Sequence, residues 1–147
     1  MKRRTQKRLS RALVAAAALG PDARVTALLR AGADPDARDP EGTTALYAAA
    51  VRGAPDAVRR LLAHGADPDA ESGGPTDGTP LCAAASWGET ETVRALLAHG
   101  ADPDLREDGG SGLSPLEWAR RGNHEETAGL LLPATTREAS TANRSGG

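Results

Sequence analysis

The sequence predicts an all-α solenoid, in which helix–turn–helix units stack side by side and are joined by short β-hairpin-like connections. Three observations predict it. The pentapeptide GADPD occurs at 32–36, 65–69 and 100–104, so Gly32, Gly65 and Gly100 recur after 33 and then 35 residues. Upstream of each copy lies an apolar triplet at i, i+3, i+4, which places all three residues on one helix face: Val25/Leu28/Leu29, Val58/Leu61/Leu62 and Val93/Leu96/Leu97. Further upstream again is a second apolar segment in constant register, ALVAAAALG at 12–20, ALYAAAVRG at 45–53, PLCAAASWG at 80–88 and PLEWARRGN at 115–123.

Each element follows from local chemistry. Leu13, Leu46, Leu81 and Leu116 align as core positions of the first helices. The pairs Ala16/Ala17, Ala49/Ala50 and Ala84/Ala85 then leave room for neighbouring helices to approach closely. Thr44, Thr79 and Ser114 precede three of these helices as N-caps, with hydroxyls able to accept from free backbone N–H groups. Pro80 and Pro115 take the first helical position, where a missing N–H costs nothing. Gly20, Gly53, Gly88 and Asn123 end the helices, where a positive φ is expected. The second helices carry the triplets and stop at Gly32, Gly65 and Gly100; Ala128/Leu131/Leu132 is a fainter fourth triplet. One such helix pair cannot bury its own apolar face, but a stack of four can. The units run about 9–37, 38–70, 71–105 and 106–132.

Composition agrees with small, closely packed helices. Aromatic residues make up 2% of the 147 and Phe is absent, so Leu, Val and Ala must fill the core. Cys82 is the only cysteine, which excludes an internal disulfide and a cysteine-rich zinc site and fits a reducing, cytoplasmic setting. No run reaches the length of a membrane span. Residues 1–11 hold six cations and no acid; with a net charge of −2 for the whole chain, the remainder carries −8. Residues 1–8 are expected to be a disordered basic arm, and 133–147, PATTREASTANRSGG, a disordered tail. A basic start followed by Ala12–Leu19 has the outline of a secretion signal. The repeat register instead makes that segment the first helix, so it is expected to be retained. Both lysines lie in the arm, and the bias to Arg, Ala and Gly elsewhere points to a bacterial source.

The residues at these positions resemble ankyrin repeats. The Thr-Pro-Leu-His-x-Ala signature of that family is matched by TALYAA at 44–49, TPLCAA at 79–84 and SPLEWA at 114–119, and its Gly-Ala-Asp-x-Asn ending by GADPD, over about residues 9–132. The signature His is replaced by Tyr47, Cys82 and Glu117. The first unit has Arg11 at the capping position, and the fourth lacks the ending and runs into Pro133, as terminal caps do.

Nothing in the sequence points to catalysis. The paired aspartates of GADPD have the look of a calcium loop, but from Asp34 the sixth position is Asp39 and the twelfth is Ala45, where Gly and Glu are needed. Turn chemistry accounts for them instead: Asp accepts backbone N–H bonds and Pro fixes φ. His64 and His99 sit near the ends of second helices, where a cation complements the dipole, and His124 falls in a turn; none forms an H-E-x-x-H pair. Cys82 has no histidine beside it in sequence and reads as a partly buried small residue. DGGSG at 108–112 lacks the strand and Lys of a phosphate loop. No cofactor, metal or small-molecule substrate is implied, and the chain reads as a non-catalytic monomer.

The resemblance implies a protein-binding function carried by the first helices and the connecting fingers. Trp87 aligns with Leu19, Arg52 and either Gly122 or Arg121, a position too varied for core, and an exposed Trp is a common anchor. Trp118 aligns with Ala15, Ala48 and Ala83 and reads as inward-packing filler. From the last Asp of GADPD to the next signature Leu is 10 residues for Asp36–Leu46 but 12 for Asp69–Leu81 and Asp104–Leu116, so fingers 71–78 and 106–112 are longer. Insertions in repeat proteins collect on one face, often the binding face. The expected partner-binding residues are Tyr47, Val51, Arg52, Ser86, Trp87, Arg120 and Arg121. An alternative is nucleic-acid or anionic-membrane association through the basic arm.

Overall fold

A computed structural model describes residues 2–73 and 78–132. The expected tail at 133–147 and the centre of the first long finger lie outside the described residues. Eight α-helices are present among them: α1 (Arg3–Leu19), α2 (Asp22–Arg30), α3 (Ala45–Arg52), α4 (Pro55–Ala63), α5 (Pro80–Ser86), α6 (Thr90–Ala98), α7 (Pro115–Arg121) and α8 (Glu125–Leu131). The odd-numbered helices pack on one another in order and so do the even-numbered ones, giving two layers. Connections are hairpin-like. Arg38 and Thr44 form an isolated antiparallel bridge, Ser72 N–H donates to the Gly78 carbonyl at 2.9 Å, and Glu107 N–H donates to the Leu113 carbonyl at 3.1 Å.

The expected rows form the core. Leu13, Leu46 and Leu81 are buried with the three Ala pairs, and Val25, Val58 and Val93 with Leu61 and Leu96 complete it. Leu116 is only partly buried. The caps also hold. The hydroxyls of Thr44, Thr79 and Ser114 accept from the backbone N–H of Tyr47, Cys82 and Glu117 at 3.2, 3.1 and 3.2 Å. Gly53, Gly88 and Asn123 have φ of 69°, 67° and 59°.

Three expectations need correction. Residues 3–8 are not a disordered arm but the opening turns of α1, which begins at Arg3. Arg, Gln and Lys are good helix formers, and Gln6 Nε2 donates to the Gly32 carbonyl at 2.9 Å, tying the extension to the end of α2. Gly20 has an extended backbone, φ −89°, rather than a positive φ. Its glycine answers to proximity: a Cβ there would lie 3.0 Å from the Ala16 Cα. Cys82 is fully buried rather than partly so.

The GADPD aspartates work as joints, in two ways. Asp34, Asp67 and Asp102 each accept from the N–H two residues on at 2.9 Å, closing the turn. Asp36 then accepts from Asp67 N–H at 2.7 Å, and Asp69 from Asp102 N–H at 2.8 Å. The second aspartate of each copy thus bonds the first of the next, and the pairs form a ladder along the stack. His64 and His99 each place Nδ1 against the carbonyl four residues earlier, at 2.9 and 3.0 Å, an end-of-helix role.

Candidate partner-binding groove

The odd-numbered helices present one row of side chains away from the even layer. On α3, Tyr47 and Val51 are one turn apart; Ser86 closes α5 and Trp87 follows it; Trp118 and Arg121 lie on α7. Tyr47, Val51, Ser86 and Trp87 line a single groove of about 310 Å³, together with Cys82, Ala83, Glu107 and Trp118. An adjoining hollow of about 320 Å³ is lined by Ser86, Trp87, Trp118, Arg121 and Gly122. Trp87 is 65% exposed and Val51 38%, and both are large apolar side chains left in water.

Two of the expected residues lie elsewhere. Arg52 is engaged within the stack: its guanidinium pairs with Asp22 at 2.9 Å and donates to the Gly20 carbonyl at 2.6 Å, joining the first two helix pairs. Arg120 lines a separate shallow hollow with Asn123, His124 and Glu125. Trp118 packs against the core as expected, but it also reaches the surface. It is half-buried and lines both the groove and the hollow, with the Arg121 guanidinium 6.0 Å from its ring centroid. The equivalent residues differ in burial: Ala15 is exposed, Ala48 partly buried and Ala83 buried. The small Ala83, next along the row, leaves the space that the Trp118 ring borders.

The other residue that sequence reasoning missed is Glu107, from the second long finger. Its carboxylate accepts from Trp118 Nε1–H. A Cβ at Gly78, at the base of the first long finger, would fall on the Glu107 carboxylate. The two fingers also meet directly. Asp108 N–H donates to the Glu71 carboxylate at 2.6 Å, and Gly109 N–H to its other oxygen at 3.4 Å. The extra residues therefore carry a carboxylate into the groove and brace it. Cys82 Sγ lies 3.6 Å from the Leu113 carbonyl, within the base of the same finger. Burial pushes the thiol up to about 12, opposed by a hydrogen bond from Thr79 and helped by the nearby Glu107 charge, so Cys82 is held as the neutral thiol.

Burial also raises the Glu107 carboxyl above its ordinary range, with Asp108 and Glu71 adding like charge, while the Trp118 and Cys82 hydrogen bonds pull the other way. The folded chain therefore binds this proton more tightly than the unfolded chain. Its contribution to stability grows as pH falls through the raised value toward the ordinary one, and the ionised group costs stability at neutral pH. Glu107→Gln, a mimic of the protonated form, is expected to melt at or above the wild-type temperature at neutral pH. The gap should close in mild acid, where wild-type Glu107 is itself protonated. A neutral-pH melting temperature below wild type would contradict the assigned direction.

Among the described residues, no group of His, Cys, Asp and Glu is placed to hold a metal, and no helix is long and apolar enough to cross a membrane. Residues 12–107 and 71–143 match the family model for ankyrin repeats (3 copies). No curated protein matches the chain.

Proposed function

Because the chain belongs to the ankyrin-repeat family, whose members are in general protein–protein interaction modules, we propose that it is a non-catalytic binding module that takes a protein partner across the groove between α3, α5 and α7. The observation that carries this is Trp87, the large apolar side chain left 65% exposed at the meeting of groove and hollow. Burying an indole against a partner releases apolar area from water, and Trp is the residue type most enriched among interface anchors. Tyr47, Val51, Ser86 and Arg121 form the surrounding contact surface, and Trp118 and Glu107 join them. A regulatory or neutralising effect on the partner, in a cytoplasmic and monomeric setting, is the reading that fits such a binding module.

Association with nucleic acid through the N-terminal helix has less support. The cleft beside α1 is lined by Arg3, Lys7, Arg11 and Arg38, but Asp34 and Asp39 line it too, and a mixed lining attracts phosphate weakly.

The test is affinity capture from the native organism with wild type and Trp87→Ala, followed by a dissociation constant for the recovered partner. The variant is expected to weaken binding at least tenfold, the scale of an interface anchor. Unchanged recovery and affinity for every partner would overturn the role of this groove.

A further inference from the structure

We propose that the groove receives a basic side chain, arginine or lysine, presented by the protein partner. This rests on the binding role proposed above and names the chemistry that the partner must offer. The chain has one Tyr, two Trp and no Phe, and all three aromatic residues, Tyr47, Trp87 and Trp118, line this one groove. They come from three successive first helices or their ends, while the buried core is composed of Leu, Val, Ala and Cys82. Tyr47 and Trp118 pack against the core on one side and border the groove on the other, and Trp87 stands largely exposed. Ring faces carry partial negative charge and attract a cation held over them. The Trp118 ring already has the Arg121 guanidinium 6.0 Å away on the side of the adjoining hollow.

Charge supplies the second half of the argument. Among the described residues, Glu107 is the only carboxylate lining the groove, and no Arg, Lys or His pairs with it. Its neighbour in sequence, Arg106, is committed to Glu117 at 2.8 Å and to the Gly112 carbonyl at 3.1 Å. Glu71 and Asp108 add further negative charge behind it. A partner cation would supply the missing counter-charge and relieve the cost of holding this carboxylate half-buried. At about 310 Å³ the groove lies at the small end of the about 300–1,000 Å³ range of ligand sites, a fit to one long side chain rather than to an extended segment.

The experiment titrates the full ¹⁵N-labelled chain with the peptide acetyl-Gly-Gly-Arg-Gly-Gly-amide, its Lys counterpart, and a citrulline counterpart that keeps the shape of Arg without its charge. The indole N–H resonances of Trp87 and Trp118 are followed. The Arg or Lys peptide is expected to shift both resonances saturably, and the citrulline peptide to bind at least about tenfold more weakly. Glu107→Gln, whose amide oxygen can still accept from Trp118, is expected to weaken the cationic peptide by about tenfold as well. Equal binding of the citrulline peptide, an unchanged affinity in Glu107→Gln, or no saturable shift with either cation would overturn the inference. The two claims separate cleanly. If Trp87→Ala releases the captured partner while no cationic peptide binds, the binding face stands and its charge preference falls. If the cationic peptides bind with the stated Glu107 dependence while partner capture ignores Trp87, the preference stands and the protein-binding role falls.

Discussion

Leu61→Ala is expected to lower the stability of the folded chain by about 3 kcal/mol, within the range for a fully buried Leu truncated to Ala. Leu61 lies on α4 with no exposed surface, and α4 packs against α2, α3 and α6. The lost methyl groups would leave a void walled by helices of three successive repeats. None of them can move in without breaking its own register with the next repeat. In a solenoid each repeat is held by its neighbours, so a lesion in an inner repeat weakens two interfaces at once. Against a total stability of about 5–15 kcal/mol for a domain of this size, the urea midpoint should fall by on the order of 1 M or more. The measurement is urea unfolding followed by circular dichroism, which reports all the helices, and by fluorescence of Trp87 and Trp118, which reports the later repeats alone. A loss under about 1 kcal/mol would mean that the α4 face is not packed as described.

What was legible in the sequence is what repeats. Leu46, Leu81, the Ala pairs, the Thr and Ser caps and the GADPD turns each recur at one register position, so every copy checks the others. Periodicity then translates directly into burial. The misses share the opposite property. Trp118 and Glu107 occur once, and their roles depend on each other and on Ala83 being small, which comparing register positions does not reveal. Alignment with Ala pointed to an inward position, and Trp118 does pack against the core, but alignment did not show that its ring also borders the groove. Arg52 was singled out for its variability, but a residue can also vary because it makes a contact particular to one repeat, here the ion pair with Asp22. The ladder from Asp36 to Asp67 and from Asp69 to Asp102 was hidden for another reason. The turn within each GADPD accounts for one aspartate, and the bond to the next repeat becomes visible only when the stacking distance is known. Finger length was legible; which side chain the finger would deliver to the groove was not.

Gly88→Ala is the second substitution with a large expected effect, and Gly100→Ala is its control. Both glycines are left-handed, with φ of +67° and +88°, where an L side chain costs about 1–2 kcal/mol. They differ in surroundings. A Cβ at Gly100 meets nothing within 4 Å, whereas a Cβ at Gly88 lands on the imidazole of His124. That ring bridges the last two repeats through Nε2 and the Ser86 carbonyl at 3.1 Å, so it cannot turn aside without losing a bond worth about 1 kcal/mol. Gly100→Ala should therefore cost about 1–2 kcal/mol and Gly88→Ala about 3 kcal/mol, read from the same urea curves. Equal costs would mean that the His124 bridge contributes nothing. The consequence reaches the groove, because Ser86 and Trp87 immediately precede Gly88 and both line it. A displaced His124 releases the Ser86 carbonyl at the end of α5, the point from which Trp87 projects. Gly88→Ala should thus weaken partner binding even under conditions where the chain remains folded, while Gly100→Ala, at the far end of α6, should leave binding unchanged.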